Sequence, residues 1–594
     1  MHFTMTKKRP KPQPEARRPK HVTDGRRATQ PDGSCLITHT IGAMPILNQI
    51  LKRMKLKEIL QRRLPDEDQR TKVDTPRVVL LLLKNLLITR EPMYGVAEWA
   101  SNYPPELFDL SSTQLQHLND DRVGRALDRI FESLDSSVIM DVVSHVVAEF
   151  DVRMDELHND STTVTFHGDY ADAAKQQQIK GVQTPAITWG HNKDHRPDLK
   201  QLLYILTVAD DGGVPIYFQT ESGNVTDDST HQRTWKLLNE LVKRPDFVYV
   251  ADCKLATTSN MLEIARCGGR FITILPATRK EDAEFRKRLV DDPECVTWNE
   301  VLRVYHEDDS LRDVYRVDAT QHLSKEGFRL LWFHSQSKAE TDAQTRARRV
   351  RRAVDELRQL QERLRSVRTR FKTRQKVSDA VKAILGSRGV SDFLSVEIKE
   401  IEHETFRQAT PGRPTKRTKY NRQVDTRFDI DWHFDSSALE RASGDDGVFP
   451  IITNLVDWTP VEILQAYKRQ PIIEKRFSHL KTDFQVAPVY LQSVSRIVGL
   501  LAVYFFALMT QSLLERELRL AMRSEEIAAI PLYPEGRPCT RPTTRQVIDV
   551  FDLVNRHTLA DPNRDTVQIF TTELAPIHQQ ILKLLGIAPE AYRT

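Results

Sequence analysis

Paired cysteines are missing from this chain. Its five, Cys35, Cys253, Cys267, Cys295 and Cys539, lie far apart, and no two share the short spacing of a zinc or dithiol pair. Neither a disulfide framework nor a zinc site is supported. Long apolar runs are missing too: Val78–Leu83 and Ile497–Met509 fall well short of a membrane span and read as buried core helices. With no secretory leader, the expected location is cytoplasmic, associated with the nucleoid only through DNA. There is no glycine-rich phosphate loop, and the seven tryptophans are scattered without forming a sugar-binding platform. A strong charge of one sign is absent as well. Lys plus Arg number 87 against 82 Asp plus Glu, a net charge of +5 that by itself does not imply nucleic-acid binding. What is present is length. A chain of 594 residues is too long for one core, so three or four folding units are expected.

Residues 1–34 mix Lys7, Lys8, Arg9, Arg17, Arg18, Arg26 and Arg27 with prolines and almost no aliphatic side chains, so a disordered basic tail is expected there. It reads equally as a solubilising segment or a phosphate-binding arm. Over 35–155 apolar residues recur at helical spacing, as in Ile41-Met44-Leu47-Ile50-Leu51, giving an all-helical domain that is a candidate for binding DNA ends. Within it, Asn119-Asp120-Asp121-Arg122-Val123 leads into an amphipathic helix, for which packing is favoured over base reading. Over 156–280 short hydrophobic runs at 162–166, 202–208, 214–218, 247–250 and 271–275, with an amphipathic segment at 229–243, predict three strands, a helix, a strand, a helix and a strand. Residues 281–445 interrupt this α/β pattern with strands at 314–317 and 328–333 and one long arginine-rich helix over 339–385. Gly412-Arg413-Pro414-Thr415-Lys416-Arg417 resembles an AT-hook-like basic turn, although a flexible basic loop explains it as well. The α/β pattern resumes over 446–515, and 516–594 is expected to be helical.

The chemistry rests on three acids: Asp160 at the first strand, Asp252 at the end of the fourth, and Glu474 on a late helix. Each alone fits a turn or capping role, and their conjunction is the signal. Carboxylates suit hard cations such as Mg²⁺ or Mn²⁺, and a pair of such ions can activate an attacking oxygen and stabilise a leaving one at a phosphodiester.

The segment Tyr467-Lys468-Arg469-Gln470-Pro471-Ile472-Ile473-Glu474-Lys475-Arg476-Phe477-Ser478-His479-Leu480-Lys481 resembles the Tyr-Arg-Glu-Lys signature of DDE transposases of the insertion-sequence-four superfamily. Gly190-His191-Asn192-Lys193-Asp194-His195-Arg196-Pro197-Asp198-Leu199-Lys200-Gln201, Gly223-Asn224, and Asp446-Gly447-Val448-Phe449-Pro450 resemble its insertion-sequence-sixteen-thirty-four-like branch. The match runs from about residue 36 to 515. In one respect the chain departs from the pattern: the arginine position four before the glutamate is Gln470, with Arg469 one place earlier.

The resemblance implies an RNase H-like α/β core, a mixed sheet flanked by helices, interrupted between Asp252 and Glu474 by an insertion with strands and a long helix. It also implies a metal-dependent endonuclease and strand transferase. Asp160, Asp252 and Glu474 would be both catalytic and metal-binding, holding two Mg²⁺ or Mn²⁺ ions. Tyr467, Lys481, Arg469, Arg196 and Lys200 are the candidate DNA contacts. The partners would be double-stranded DNA, as terminal inverted repeats and target, with the chain a homodimer in the DNA complex. The alternative is a transposase-derived DNA-binding regulator without catalysis.

Overall fold

The computed structural model describes residues 26–29 and 34–593, apart from 135–136, 307, 367, 485, 487–490, 562 and 564. Most of the basic tail expected over 1–34 lies outside the described residues. Its described part, Arg26–Thr29, is a strand paired with Cys35–Thr40. The fold is mixed α/β and divides into two compact units. The first is built from residues 1–255, 263–270 and 468–594, and the second from 256–262 and 271–467.

In the first unit the helices over 44–149 follow the helical spacing of the sequence. Thr75–Ile88 begins with Asp74 accepting from the Arg77 amide and with a proline in its first turn, where a missing N–H costs nothing. Asp120–Ser133 is capped by Asn119, and its Val123, Leu127, Ile130 and Phe131 are buried, so this face of the helix packs into the unit. Arg122 is buried with it, donating to the Val73 carbonyl at 2.7 Å and to Glu67 at 2.8 Å. Both helices pack on Val494–Ser524, a helix of 31 residues. By length and composition it passes for a membrane span, but its apolar window is wholly buried in the protein. The run at 497–509 lies in its N-terminal half.

The sheet of this unit has the order Val248–Ala251, Glu156–Phe166, Lys200–Ala209, Pro215–Ser222, the first pair parallel and the others antiparallel. Three of those strands and the helix His231–Val242 fall where the sequence places them, while Glu156–Phe166 begins six residues ahead of the run at 162–166 and takes in Asp160. The C-terminal region does not. Asn555–Ala560 and Thr566–Thr571 are strands, joined to Cys35–Thr40 in a four-stranded antiparallel sheet. The period-two apolar pattern of Val567 and Ile569 was the missed signal.

The second unit carries an antiparallel sheet in the order Trp298–Tyr305, Leu311–Asp318, Arg329–Ser335, Val448–Thr453, Arg270–Ile274. The single helix expected over 339–385 is two, Gln336–Arg365 and Arg374–Arg388, the second begun by Thr373 capping Lys376. Against them stands a hairpin of two 15-residue strands, Leu394–Gln408 and Tyr420–Phe434. A separate apolar cluster of Leu357, Leu360, Val377, Val381, Leu394, Phe428 and Ile430 holds helices and hairpin base together.

Gly499 lets the core helix approach the Asp120–Ser133 helix backbone to backbone. A Cβ there would lie 2.3 Å from the Leu127 carbonyl oxygen, which a side-chain movement cannot relieve. Gly499→Ala is therefore expected to destabilise this unit by about 1 to 3 kcal/mol, seen as a lowered Tm in thermal unfolding.

Candidate functional site

The site begins with strand periodicity. Residues two apart share a face, so Glu156, His158 and Asp160 stand in a row along Glu156–Phe166. The neighbouring strand runs parallel in the register His158 to Val250 and Asn159 to Ala251. Asp160 and Asp252 directly follow the last paired residues, and the Asp252 charge is close enough to act on the Asp160 carboxyl. The two acids far apart in sequence are thus neighbours at one sheet end.

Asp227, which sequence reasoning missed, joins them from the short helical turn Asp227–Ser229. Burial pushes the Asp160 carboxyl up to about 6, and the charges of Asp252 and Asp227 push the same way against Lys193 and the Ser161 amide. Burial likewise raises Asp252. The Lys193 ammonium bridges the cluster, 3.5 Å from Asp160 Oδ1 and 3.1 Å from Asp227 Oδ2. It also donates to the carbonyl and hydroxyl of Ser161, each at 2.7 Å. Burial alone would lower Lys193, but Asp160 and Asp227 hold it above its ordinary value.

Lys193 belongs to the polar loop 190–199, and the fold explains the motif around it. A Cβ on Gly190 would lie 1.8 Å from the Gly223 carbonyl oxygen, and one on Gly223 would lie 2.1 Å from that of Gln201. Only two glycines permit this crossing. The buried Gln201 side chain ties it, donating to Gly223 O at 2.8 Å. Asn192 Oδ1 accepts from the Asp194 amide at 2.8 Å and shapes the turn. Adjacent residues then diverge: Lys193 turns to the carboxylates, and Asp194 accepts from Lys481 Nζ at 2.7 Å.

The Glu474 helix, Pro471–Ser478, packs on the Asp160 strand through a different set of bonds. Just before it, Arg469 binds both oxygens of Glu156, while Gln470 Oε1 meets His158 Nδ1 at 2.9 Å and Glu156 Oε1 meets His158 Nε2 at 2.7 Å. Burial would raise the Glu156 carboxyl, yet the bonds from Arg469 and His158 hold it down at about 2. At the other end Arg476, 2 % exposed, donates to the Gly213 and Gly212 carbonyls at 2.9 and 2.7 Å and meets Glu515 at 3.3 Å.

Several expected contacts stand elsewhere. Arg469 is the partner of Glu156 rather than a free cation. Lys200 is buried, donating to the Asp169 carbonyl with its ammonium 4.8 Å from the Trp189 ring, because it opens a strand whose every residue is buried. Arg196 is exposed but forks onto Asp198 at 2.9 and 2.7 Å. Tyr467 lies on a separate helix, Pro460–Lys468, that ends before Pro471, so one continuous Tyr467–Lys481 helix does not form. Lys481 sits in a π-helical turn, His479–Asp483. Glu474 is exposed and makes no hydrogen bond or ion pair with a described residue. Among the described residues no three His, Cys, Asp or Glu side chains are gathered as a metal-binding group.

Residues 36–144 match the family described as a domain of unknown function, DUF4277. That segment covers the N-terminal helices and the strand before them, and not the acids. No curated protein matches the chain.

Two outcomes follow from the charges. The Asp160 carboxyl lies above its ordinary value, so its contribution to stability is complete below pH 4 and lost as pH rises through about 6. Asp160→Asn is then expected to be more stable than the parent at pH 8, on the order of 2 kcal/mol, with the difference gone at pH 4. Glu156 has the opposite sign, its contribution being present above its ordinary value of 4.5 and lost as pH falls toward 2. Arg469→Ala should cost about 2 kcal/mol at neutral pH, where the Glu156 carboxylate stays buried without its guanidinium. Denaturation across pH checks both.

Proposed function

We propose that the chain is a DDE transposase of the insertion-sequence-four superfamily, closest to its insertion-sequence-sixteen-thirty-four-like branch. It would cleave DNA at transposon ends and join them to target DNA. The observation that carries this reading is the parallel pairing that ends at Asn159 and Ala251, just before Asp160 and Asp252, with the signature segment 467–481 supplying a helix packed on the same strand. Two further points support it. The sheet of the first unit, mixed with helices on it, is compatible with an RNase H-like core, and DUF4277 is a family found in transposase-like proteins.

The donor set fits a hard cation. The charges of Asp252 and Asp227 raise Asp160, that of Asp227 raises Asp252, and the Lys193 ammonium already answers this charge. Asp160 and Asp252 would hold Mg²⁺ or Mn²⁺, with Asp227 beside them, and Glu474 would complete a two-ion site only when brought in from its exposed position. Such ions neutralise charge and activate water or a 3′-hydroxyl for in-line phosphoryl transfer.

The chain's own residues do the rest. Lys193 keeps its proton and holds the carboxylates in place of a cation, so it must withdraw as one enters. Lys481, once released from Asp194, offers its ammonium to a phosphate of the transferred end. Arg469 and Gln470 fix the start of the Glu474 helix to the Asp160 strand, which limits where that carboxylate can travel. Tyr467 remains a candidate DNA contact, with a homodimer pairing two ends in the DNA complex.

The exposed Glu474 favours a second reading, a DNA-binding regulator descended from a transposase. Cleavage of a labelled duplex carrying the element's ends, with Mg²⁺ or Mn²⁺, separates the two. Wild type should nick at the ends, and Asp160→Asn, Asp252→Asn and Glu474→Gln should each lower the rate at least about a hundredfold while binding persists. A wild-type protein that binds the ends and never cuts them is the regulator; activity surviving all three substitutions removes these acids from the mechanism.

A further inference from the structure

A two-stranded hairpin is marginal by itself and needs something to cover a face. Here the base is covered and the distal half is not. Leu394, Phe428 and Ile430 are buried against the two helices, whereas from Ile401 to Arg427 no residue of either strand or of the turn is buried. With 15 residues per strand, the ribbon is roughly 50 Å long.

Its composition changes along its length. From Thr405 to Val424 there are six basic residues, Arg407, Arg413, Lys416, Arg417, Lys419 and Arg422, and no acidic one. Arg422 pairs with Glu404. The other five are exposed and make no ion pair with a described residue. The turn that carries most of them is shaped by its own bonds. The Thr415 amide donates to Thr418 Oγ1 at 2.7 Å, the Thr418 amide to the Thr415 carbonyl at 3.0 Å, and the Ala409 amide to the Lys419 carbonyl at 2.9 Å. Two aromatic rings face solvent beside it, Phe406 at 61 % and Tyr420 at 51 % exposure. Register puts both on one face of the ribbon, since Phe406 stands opposite Arg422 and Gln408 opposite Tyr420.

We infer that the distal half of this hairpin, residues 401–427, is a DNA-binding arm that lays its basic tip into a groove of duplex DNA. A two-stranded ribbon is one of the few elements that the major groove admits, and basic side chains flanking it reach the phosphates on either side. The Pro411-Gly412-Arg413-Pro414 tip is slender enough to lead. The same subdomain offers further basic charge: Arg348, Arg349 and Arg352 line a surface cleft with Arg388, which pairs with Glu356, and no acidic residue lines it. An acidic protein partner would ask for the same charges, but it gives no reason for a ribbon this long and narrow. Pairing with a second copy would set like charges edge to edge.

The inference shares with the transposase reading only the premise that the chain binds DNA, and one set of titrations separates them. Full-length wild type, Asp160→Asn and the quadruple variant Arg413→Ala, Lys416→Ala, Arg417→Ala, Lys419→Ala are titrated onto a labelled duplex at several salt concentrations. The four sites are exposed, so an unchanged Tm and circular dichroism spectrum should accompany the variant. Its affinity should fall about tenfold or more near physiological salt, and the slope of log K against log salt should shrink by about 3 to 4. Asp160→Asn should bind as wild type does. An arm variant that binds duplex DNA with the wild-type affinity and slope overturns the inference. So does a preference for single-stranded RNA over duplex, or a loss confined to self-association. If the arm effect holds and wild type never cleaves, the transposase reading alone fails.

Discussion

The fork of Arg469 on Glu156 is the contact on which the candidate site depends. Glu156 is buried at the start of the strand that carries Asp160, and a carboxylate there without a partner would be driven to take up a proton. Arg469 answers it from the residue pair that launches the Glu474 helix, and His158, one step along the same face, takes up Gln470. Strand alternation therefore converts three residues two apart into two anchors and one reactive group. The position where the sequence departs from the superfamily's pattern is part of this clasp: Gln470, not an arginine, meets the imidazole, and the arginine one place earlier meets the acid.

A second constraint is the loop 190–199, which acts as a bracket with two ends. Lys193 and Asp194 are adjacent, carry opposite charge, and reach opposite ways, to the carboxylates and to Lys481. On the proposed reading, both ends engage groups that DNA or a cation would claim. The charges in this loop are satisfied internally in the absence of those ligands, so ligand binding at either end must break an existing pair. The glycines at 190 and 223 that let the loop cross its neighbours so closely explain why this stretch is rigid enough to do so.

Much of the first unit was legible because its elements are buried on both faces and read as short apolar runs. The four main strands and the helix His231–Val242 between residues 156 and 251 follow from those runs, while the two short strands at 178–179 and 182–183 do not. Asp252 was legible as the residue that follows a strand, whereas Asp160, expected just ahead of the run at 162–166, lies inside the strand Glu156–Phe166. Asp227 was not legible, because a Thr-Asp-Asp-Ser turn has no periodicity and its relevance is purely spatial. Nor were the buried roles of Arg469 and Lys200, since a sequence does not reveal whether a cation finds its anion inside the fold or outside it. The long hairpin escaped for a related reason. Its distal strands alternate polar with polar, and only the basic turn at its tip stood out. The break between the two helices near residue 370 was hidden by arginines and lysines that suit a helix as well as a loop.

The first unit is assembled from separate stretches of chain, with the second unit threaded between them. Glu156 and Arg469 are 313 residues apart in sequence. A ribosome adding about 5 to 20 residues per second needs roughly 15 to 60 s to cover that distance. Throughout that interval the Asp160 strand exists without its clasp, while the insertion, with its own apolar cluster, can already fold. The order of synthesis thus sets an order of competence: a nascent chain acquires its basic arm before it acquires a closed acidic site. Interrupted translation would leave a fragment that has the arm but lacks Lys481 and the Glu474 helix, so the topology of the chain separates the two in time.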